Sequence, residues 1–505
     1  MTFSLIMEHM FLVLAAITMS ILIGIPLGVC AYMMPKSRGL ILKVVDILQT
    51  IPALALLGLI MILAGPGKLT VVIGITLYSL LPIVQNTCLG LSGIDPGVEE
   101  AAKGVGMTSM ERLTQVEFPI AFPTVFTGIR IALVNAIGIA VFAAFVGGGG
   151  IGGVMNKAIR IQDMKMILTA TGALMLIAVV LDLLMGVSEA QIRKSHSSMK
   201  RVISSILIVF VAFMATVPFQ VAGSNSAGNL MLYDGDYTET QIMHHMIKHL
   251  VEGKTDLNVT IQDQMSQVNN YKALIGKKHS CDMMISYDGT WLTTFLHKDP
   301  TDVPKGESLY QYTNQLGKKK EGLTMLGKLG FNNTYAIAVP RKLADKYNLK
   351  KVSDLEKVAP ELTFGAEHEF FTEEGSMKYN PFVRFYNLKF KNQKSVDVSL
   401  KYSAIGKGEF DVTEVFATDG LNKKAKLVIL EDDKHFFPEY NGAFLIREDT
   451  FTKFAKTAPN LKKVLSSLDG KISTEEMSEM TYQVDVKGRT VDDVAIDFLK
   501  KKGLL

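Results

Sequence analysis

Residues 99–119 read EEAAKGVGMTSMERLTQVEFP and form a polar segment between two long apolar runs. This composition predicts two short helices that break near Gly106 and end before Pro119, because glycine permits a turn and proline lacks the amide that a helix interior needs. The small side chains of Ala101 and Ala102 would let one helix face approach a partner closely. On these properties alone, the segment could be a solvated loop of a membrane protein or a docking element.

The apolar runs around this loop are long enough to cross a bilayer. A hydrocarbon core of ~30 Å needs roughly 20 helical residues. Six runs of about that length cover residues 11–34, 44–64, 69–91, 122–146, 166–187 and 202–222. The chain of 505 residues is 48% hydrophobic, with the apolar excess confined to residues 1–222. We therefore predict an α-helical transmembrane bundle of about six spans followed by a soluble domain.

Two segments of the apolar half have more than one interpretation. Residues 147–153, GGGGIGG, could form a gate element or a turn, and the turn is favoured because glycine accepts many backbone conformations. Residues 201–223 have the layout of a secretory signal peptide but act most simply as a sixth span and linker. The predicted division is a membrane domain over 1–200, this anchor, and a soluble domain over 224–505.

The distribution of lysine and arginine predicts the orientation in the membrane. Segments 35–43, 95–118 and 189–201 fall on one side and hold nine basic residues. The opposite side, apart from the large soluble domain, carries Lys68, Lys157, Arg160 and Lys165. Cytoplasmic loops carry the excess of positive charge. We therefore expect residues 95–119 to face the cytoplasm and everything after residue 222 to lie outside.

Several function classes are disfavoured by composition and motifs. The net charge of +4 is too small to suggest a nucleic-acid partner. The three cysteines form no CxxC pair, so neither a zinc ribbon nor a disulfide framework is predicted. His245 and His249 have i, i+4 spacing, but without an HExxH pattern or a third ligand a solvated helix face is favoured and no metal site is predicted. No GxxxxGK[ST] loop or nucleophile elbow is present, so an enzyme is not predicted.

The spacing within residues 99–119 resembles the cytoplasmic coupling loop of ATP-binding-cassette importer permeases. In that family the loop docks into a groove on a separate ATPase subunit. The resemblance implies that this chain carries no cofactor of its own, that ATP and Mg²⁺ bind the partner ATPase, and that two copies of the chain act with two ATPases. The implied ATPase-coupling residues are Glu100, Ala101, Ala102, Gly106 and Pro119.

The soluble part predicts an α/β domain of two lobes. From residue 229 onward, short β-branched runs alternate with helical patterns. Strands near residues 334–339 and 442–446 would cross between the lobes. The predicted limits are about 229–334 and 445–505 for lobe 1 and about 335–444 for lobe 2. A ligand would lie in the cleft between them, at strand ends and helix starts.

Four short motifs of this domain resemble the extracytoplasmic solute-binding proteins of betaine, choline, carnitine and ergothioneine importers. They are Tyr237-Thr238-Glu239, Tyr287 with Gly289-Thr290, Asn333-Thr334-Tyr335-Ala336, and Phe416-Ala417-Thr418-Asp419-Gly420. The resemblance implies a type II periplasmic-binding-protein fold, and fusion to the permease is a known arrangement in this group. The segment 282–290 departs from the family pattern by losing one aromatic and one acid and gaining Asp288, and the solute remains open among the four.

A quaternary ammonium has no N–H to donate, so aromatic faces and nearby carboxylates are expected to hold it. Phe370 is a further candidate ring. The candidate ligand-binding residues are Tyr237, Tyr287, Asp288, Tyr335, Tyr386, Phe416, Thr418 and Asp419.

The leading hypothesis is the permease and solute-binding subunit of an importer in a bacterial cytoplasmic membrane. It would capture a small zwitterion or cation with a methylated ammonium outside and move it inward, using a partner ATPase. A membrane-anchored ligand sensor or ligand-gated channel with the same binding domain is the alternative. The loop at residues 99–119 favours the importer, because a sensor needs no site for docking an ATPase. A membrane-anchored enzyme is a third, unsupported hypothesis.

Overall fold

Long apolar helices make up the first part of the chain, and alternating strands and helices make up the second. The computed structural model describes residues 3–161, 163–194, 228–276, 280–372, 375–398 and 400–505. The chain divides into two units, one of residues 1–156 and 164–221 and the other of residues 157–163 and 222–505.

The regular elements among the described residues of the membrane unit are all helices. They are α1 Phe3–Met33, α2 Pro35–Thr50, α3 Ala53–Ala64, α4 Lys68–Ser92, α5 Pro96–Gly104, α6 Ser109–Arg112, α7 Phe118–Ile139, α8 Ile151–Ile161, whose residues from 157 onward group with the second unit, and α9 Met164–Lys194. Four helical segments of the described chain are long and apolar enough to cross a membrane: Leu5–Met33, Lys68–Ser92, Ser109–Val146 and Met164–Ile192. The predicted run 202–222 lies outside the described residues.

The predicted second span is bent. Helices α2 and α3 meet at 99°, so the described part has four spans, or five if this pair counts as one. The bend falls at Ile51, whose φ of −71° and ψ of 127° are extended. Pro52 follows it, and proline disfavours the helical conformation in the residue before it. The apolar run predicted over 44–64 thus falls on two helices joined at this bend.

The coupling loop begins as predicted but ends differently. Helix α5 stops before Gly106, whose φ of +85° is left-handed, and α6 follows it. The predicted stop before Pro119 was wrong, because the helix continues from α6 through a π-helical turn over Leu113–Glu117 into α7. The amide of Phe118 donates to the carbonyl of Leu113, five residues back. Pro119 then follows as the second residue of α7, and the wider π-helical turn before it accommodates a residue that has no amide to donate.

Glycines allow close helix packing and form the turn after α7. A β-carbon at Gly28 of α1 would lie 2.5 Å from Thr87 of α4, and one at Gly128 of α7 would lie 2.5 Å from the carbonyl oxygen of Pro82. Small residues of this kind let membrane helices approach closely. The glycine turn predicted over 147–153 is confirmed for residues 147–150, since Gly147 has a φ of 75° and ends the helical segment, whereas residues 151–153 begin α8.

The second unit contains ten strands among its described residues. They are β1 Asn229–Gly235, β2 Asn258–Met265, β3 Met283–Tyr287, β4 Leu323–Met325, β5 Tyr335–Pro340, β6 Thr363–Ala366, β7 Asn392–Ser395, β8 Val412–Phe416, β9 Leu427–Leu430 and β10 Gly442–Arg447. Its helices are α10 Thr238–Lys254, α11 Gln267–Ile275, α12 Asp288–Thr290, α13 Leu309–Glu321, α14 Arg341–Tyr347, α15 His368–Thr372, α16 Tyr379–Phe385, α17 Lys401–Gly406, α18 Leu421–Lys424, α19 Glu448–Lys453, α20 Leu461–Leu465, α21 Thr474–Asp485 and α22 Val491–Lys501.

The strands form two lobes with related topology, which confirms the predicted α/β fold. In one lobe, β1 pairs with β2 in parallel, and β10 lies antiparallel between β3 and β4. In the other, the sheet order is β7-β6-β8-β5-β9, and β5 lies antiparallel between β8 and β9. The chain crosses from the first lobe to the second before β5 and returns before β10. Both strands lie at the two positions predicted as crossings. The predicted residue limits of the lobes stay a prediction.

Each lobe has its own hydrophobic core. Helix α10 and the C-terminal helices cover the first lobe, where Met246, Phe444 and Phe498 belong to one buried cluster. Phe364 and Phe382 belong to the corresponding cluster of the second lobe. Burial of whole aromatic and aliphatic side chains contributes roughly 1.5–3 kcal/mol each. The ends of β5, β8 and β10 are thus fixed by packing, and these ends carry the candidate site.

Candidate functional site

An aromatic cluster lies where β5 begins and β8 ends. Tyr335 and Phe416 are opposite each other in the antiparallel register, and their rings stack with centroids 5.2 Å apart at 25°. Phe370 and Phe437 approach the Tyr335 ring to 5.7 and 6.1 Å. Phe370 is fully buried, whereas Tyr335 and Phe416 are half-buried. This aromatic cluster of four rings therefore presents two of them to the surface at the sheet edge where the chain crosses between lobes.

A chain of hydrogen bonds, here called the bridging network, joins the two lobes beside this cluster. The hydroxyl of Tyr287, at the end of β3, donates to Glu239 Oε1, and Asn333 Nδ2 donates to the same oxygen at 3.3 Å. Thr418 Oγ1 in turn donates to Asn333 Oδ1 at 2.8 Å. Thr481 Oγ1 donates to the Thr418 carbonyl at 2.8 Å. The network thus runs from the first lobe through the crossing segment before β5 to the turn after β8.

Glu239 is the buried acid at the centre of this network. It lies in the first turn of α10 and is 5% exposed. Burial raises its pKa to about 7; hydrogen bonds with Thr418 and Tyr287 oppose this rise, and the negative charge of Asp419 adds to it. A carboxyl with such a pKa exchanges its proton near neutral pH, and strongly shifted pKa values are common at functional sites.

The carboxylates of the two predicted acids, Asp419 and Asp288, accept hydrogen bonds from backbone amides and side chains of the protein. Asp419 Oδ2 accepts from the Tyr402 hydroxyl at 2.7 Å, and its Oδ1 accepts from the Leu421 amide at 2.9 Å. Asp288 is fully buried, and its carboxylate accepts from the amide of Asn441 at 2.8 Å and from Asn441 Nδ2 at 2.8 Å. Burial raises the pKa of Asp288 to about 6 despite these hydrogen bonds. Asp419 therefore fixes the turn after β8, and Asp288 fixes the segment before β10 to the end of β3.

The structure places the eight predicted ligand-binding residues at several positions. Tyr335, Phe416, Thr418 and Asp419 come together in the second lobe. Tyr287 joins the bridging network, and Asp288, the residue after β3, accepts from Asn441, which directly precedes β10. Tyr237 lies directly before α10 and is 47% exposed.

The structure does not bring Tyr386 to this group. Its ring is fully buried in the core of the second lobe, where it packs against Phe382 at 5.6 Å. Its hydroxyl donates to Asp432. The sequence showed only an aromatic residue after an amphipathic run, which is equally typical of a core position.

A buried ion cluster adjoins the aromatic cluster. Lys401 Nζ lies 2.9 Å from Glu367 Oε2 and 2.7 Å from Glu414 Oε2, and 5.7 Å from the centre of the Phe416 ring. Lys401 is 1% exposed and Glu414 fully buried. Burial alone would lower the pKa of Lys401, but the carboxylates of Glu414 and Glu367 raise it to about 12. The ammonium is therefore charged and holds the strands behind Phe416 in place.

Sequence reasoning missed three residues of this region. Glu239 and Asn333 lie inside two of the motifs that carry the resemblance, but the candidates taken from these motifs were their aromatic neighbours Tyr237 and Tyr335. Lys401 gave no signal, because its partners lie 13 and 34 residues away and no spacing rule connects them.

The coupling loop of the membrane unit presents a separate surface. Asp95 accepts from the Gly97 amide at 2.7 Å and begins α5, while Thr108 and Glu111 form a capping box that begins α6. Ala102 is buried, and Glu100 and Ala101 are exposed. A groove of about 590 Å³ follows the loop, and its lining is largely apolar: Asp95, Gly97, Val98, Ala101, Ala102, Val105, Met107 and Val116.

The exposed part of this loop is suited to protein contact. Val105 and Met110 expose 76% and 62% of their surface on either side of Gly106. Exposed apolar patches that are rimmed by polar residues mark sites of protein interaction. The predicted coupling residues Glu100, Ala101 and Gly106 lie on this surface, Ala102 packs under it, and Pro119 lies in the first turn of α7.

Both halves of the chain match protein-family models. Residues 232–501 match the substrate-binding domain of the ABC-type glycine betaine transport system. Residues 16–194 match the binding-protein-dependent transport system inner membrane component. The resemblance proposed from the two sets of motifs is thereby confirmed.

Three curated proteins illustrate the extent of the similarity. The ergothioneine transport permease/ergothioneine binding protein EgtU of Helicobacter pylori is 29% identical over 495 residues, covering 95% of this chain and 87% of that protein. The carnitine transport binding protein OpuCC of Listeria monocytogenes is 31% identical over 300 residues, 59% of this chain and 94% of that protein. The osmoprotectant import permease protein OsmW of Salmonella typhimurium is 41% identical over 187 residues, 36% of this chain and 87% of that protein.

One chain thus combines the two components that OsmW and OpuCC represent singly, as EgtU does. The protein belongs to the family of ABC-type glycine betaine transport systems, as a substrate-binding domain fused to the permease domain of an osmoprotectant-type importer.

Proposed function

We propose that the second unit captures a small solute with a methylated ammonium at the aromatic cluster, and that the membrane unit carries it inward. The binding domain would lie outside the cytoplasmic membrane. Two copies of the chain would act with two separate ATPase subunits that bind ATP and Mg²⁺. The observation that carries the proposal is the half-buried stack of Tyr335 and Phe416 at the crossing between the lobes.

The chemistry of the aromatic cluster suits such a solute. A methylated ammonium cannot donate hydrogen bonds, and an aromatic face attracts it with roughly 0.5–2 kcal/mol per ring, depending on desolvation. Glu239 and Asp419 place carboxyl groups beside the rings, and Thr418 and Asn333 add neutral polar groups. The solutes that the relatives' names give, among them ergothioneine and carnitine, are the first candidates for this site.

The position of the basic residues supports the proposed orientation. The nine lysines and arginines of the three segments counted above fall on the side of the coupling loop. The exposed Glu100 and Val105 would then face the cytoplasm, where an ATPase is available. An importer needs this contact because ATP hydrolysis and solute capture occur on opposite sides of the membrane.

Calorimetry on residues 228–505 tests the solute class directly. This unit has its own hydrophobic cores, and the related OpuCC is a separate binding protein that matches over 94% of its length. Titration with glycine betaine, choline, carnitine and ergothioneine should give binding of at least one, and an unmethylated analogue of that solute should bind more weakly. An unmethylated analogue that binds equally well would contradict the proposal.

We predict that Tyr335→Ala and Phe416→Ala each weaken solute binding about five- to thirty-fold. Each change removes one cation–π contact and some packing, which together contribute roughly 1–2 kcal/mol. Tyr335→Phe should cost less, because the aromatic face remains. Phe385→Ala is the matched control, since that ring is 50% exposed on the same lobe and should not affect affinity. Parent-like affinity in both alanine variants would exclude the aromatic cluster as the binding site.

We predict that Glu100→Lys abolishes uptake in cells while solute binding persists. Reversal of an exposed charge on the docking surface should prevent the ATPase contact, and the binding domain is a separate unit. Glu100→Gln serves as the milder control, because it retains the shape of the side chain. Uptake of labelled solute at matched expression provides the measurement. Normal uptake in Glu100→Lys cells would rule out a coupling role for this carboxylate.

A further inference from the structure

A second cluster of potential ligands lies on the first lobe, away from the bridging network. His245 and His249 follow each other by one turn on α10, and Asp492 stands in the first turn of α22. Asp492 Oδ1 lies 2.8 Å from His245 Nδ1 and 2.7 Å from His249 Nε2. The three ligand atoms all fall within 4.8 Å of one another.

Asp492 supplies the third candidate ligand that the sequence alone did not offer for this helix. The sequence favours a solvated face for the histidine pair, because nothing near it in the chain completes a metal site. Asp492 lies 243 residues after His249, and the packing of α22 on α10 brings it there. A local sequence motif cannot reveal a contact between helices so far apart in the chain.

The geometry fits a small transition-metal ion. Zinc binds imidazole nitrogen and carboxylate oxygen at roughly 2.0–2.2 Å, so tetrahedral ligand atoms lie about 3.3 Å apart. The observed nitrogen–oxygen distances are hydrogen-bond lengths, and each would open by about half an ångström on coordination. Two imidazoles and one carboxylate favour zinc, cobalt, nickel or copper over calcium and magnesium, which prefer all-oxygen sites.

The cluster is also accessible. The side chains of His245 and His249 are 26% and 23% exposed, and that of Asp492 is 47% exposed. An ion can therefore enter from solvent, and a water molecule can complete the fourth position. A ring nitrogen that binds a metal carries no hydrogen. The N–H hydrogens that His245 Nδ1 and His249 Nε2 direct at Asp492 would therefore be released to solvent or move to the other nitrogen of the same ring.

We propose that His245 Nδ1, His249 Nε2 and Asp492 Oδ1 form a binding site for a first-row transition-metal dication, with Zn²⁺ as the expected ion. The bound ion would join α10 to the C-terminal helix α22. Because α10 also carries Glu239 in its first turn, the ion would hold the helix that supplies the central acid of the bridging network.

Cobalt spectroscopy on the full chain tests the site. The protein would be purified in detergent without a polyhistidine tag, stripped with chelator and titrated with Co²⁺, then with Zn²⁺ in competition. We expect one strong equivalent with the visible bands of four-coordinate cobalt, displaced by zinc. His249→Ala and Asp492→Asn should each weaken binding at least tenfold. His368→Ala, at an exposed histidine of the other lobe, should bind like the parent.

Hydrogen exchange separates metal binding from a purely structural role of these residues. Zinc should slow amide exchange in residues 491–501 of the parent and have no such effect in the His245→Ala/His249→Ala variant. Retained solute binding would establish that this variant is folded. The proposal is overturned if the parent and the double variant bind cobalt with the same affinity and spectrum, or if zinc leaves exchange in α22 of the parent unchanged.

Discussion

Replacing Lys401 by methionine should destabilise the binding domain by about 3–5 kcal/mol. The buried ammonium lies between Glu367 and Glu414, and its removal leaves two carboxyl groups in the core without a counter-charge. Urea unfolding of residues 228–505 would measure the loss. Circular dichroism should accompany the fluorescence of Trp291, the single tryptophan of the chain, because that residue lies in the first lobe only.

Two variants distinguish this effect from ordinary loss of an ion pair. Lys394 forms an exposed pair with Glu409 in the same lobe at 2.5 Å, and Lys394→Met should cost less than about 1 kcal/mol. Adding Glu414→Leu to Lys401→Met should recover part of the lost stability, since it removes one uncompensated acid. If Lys401→Met were no more damaging than Lys394→Met, the buried cluster would not be the element that holds these strands.

The second large effect concerns pH. Glu239→Gln should stabilise the solute-free domain by up to about 3 kcal/mol at pH 8 and leave it nearly unchanged at pH 4.5. Burial raises the pKa of Glu239 from 4.5 to about 7, so the folded domain holds a proton in this window that the unfolded chain has released. Stability of the parent therefore falls as the pH rises from 4.5 to 7. Glutamine stays neutral and removes this contribution.

The measurement is the unfolding free energy of parent and variant at several pH values. The pKa of Asp288 is also raised, to about 6, so part of the slope should remain in both proteins and only the difference reports Glu239. Glu369→Gln, at an exposed position of the second lobe, should follow the parent curve. A difference between Glu239→Gln and parent that does not change with pH would show that the carboxyl stays charged in the folded domain.

Structural features that depend on a local pattern of residues could be predicted from the sequence. The apolar runs gave the membrane helices, and the break at Gly106 followed from a residue that accepts a left-handed backbone. The crossings were also predicted, because strand patterns begin or end at motif residues such as Tyr335 and Phe416. These predictions depend on neighbours in the chain and need no knowledge of packing.

The prediction for Pro119 was wrong because the effect of a proline depends on the backbone conformation before it, which the neighbouring residue types do not determine. Pro119 was expected to end a helix, but the π-helical turn before it places the proline in the first turn of α7. The same residue type at Pro52 does mark a 99° bend, because the chain before it is extended. The sequence gives a proline in both cases, and only the arrangement of the preceding turn decides its effect.

Distance along the chain explains the missed site residues. Tyr386 shares its residue type with the ligand candidates, yet its hydroxyl is used by Asp432 in the core. Lys401 and Asp492 acquire their partners only when helices and strands pack. A spacing rule within one sequence does not identify contacts between residues that are 13 to 243 positions apart in the chain.

The antiparallel strand β10 has a consequence for how the protein is made. Its two partners in the first lobe, β3 and β4, emerge from the ribosome long before it, because the whole second lobe is synthesised in between. At ~5–20 residues per second, β3 waits on the order of ten to thirty seconds for Gly442–Arg447. The second lobe can meanwhile complete its own sheet. Until Gly442–Arg447 is made, β3 and β4 each keep open the strand edge that β10 will occupy, and such edges can pair with other chains.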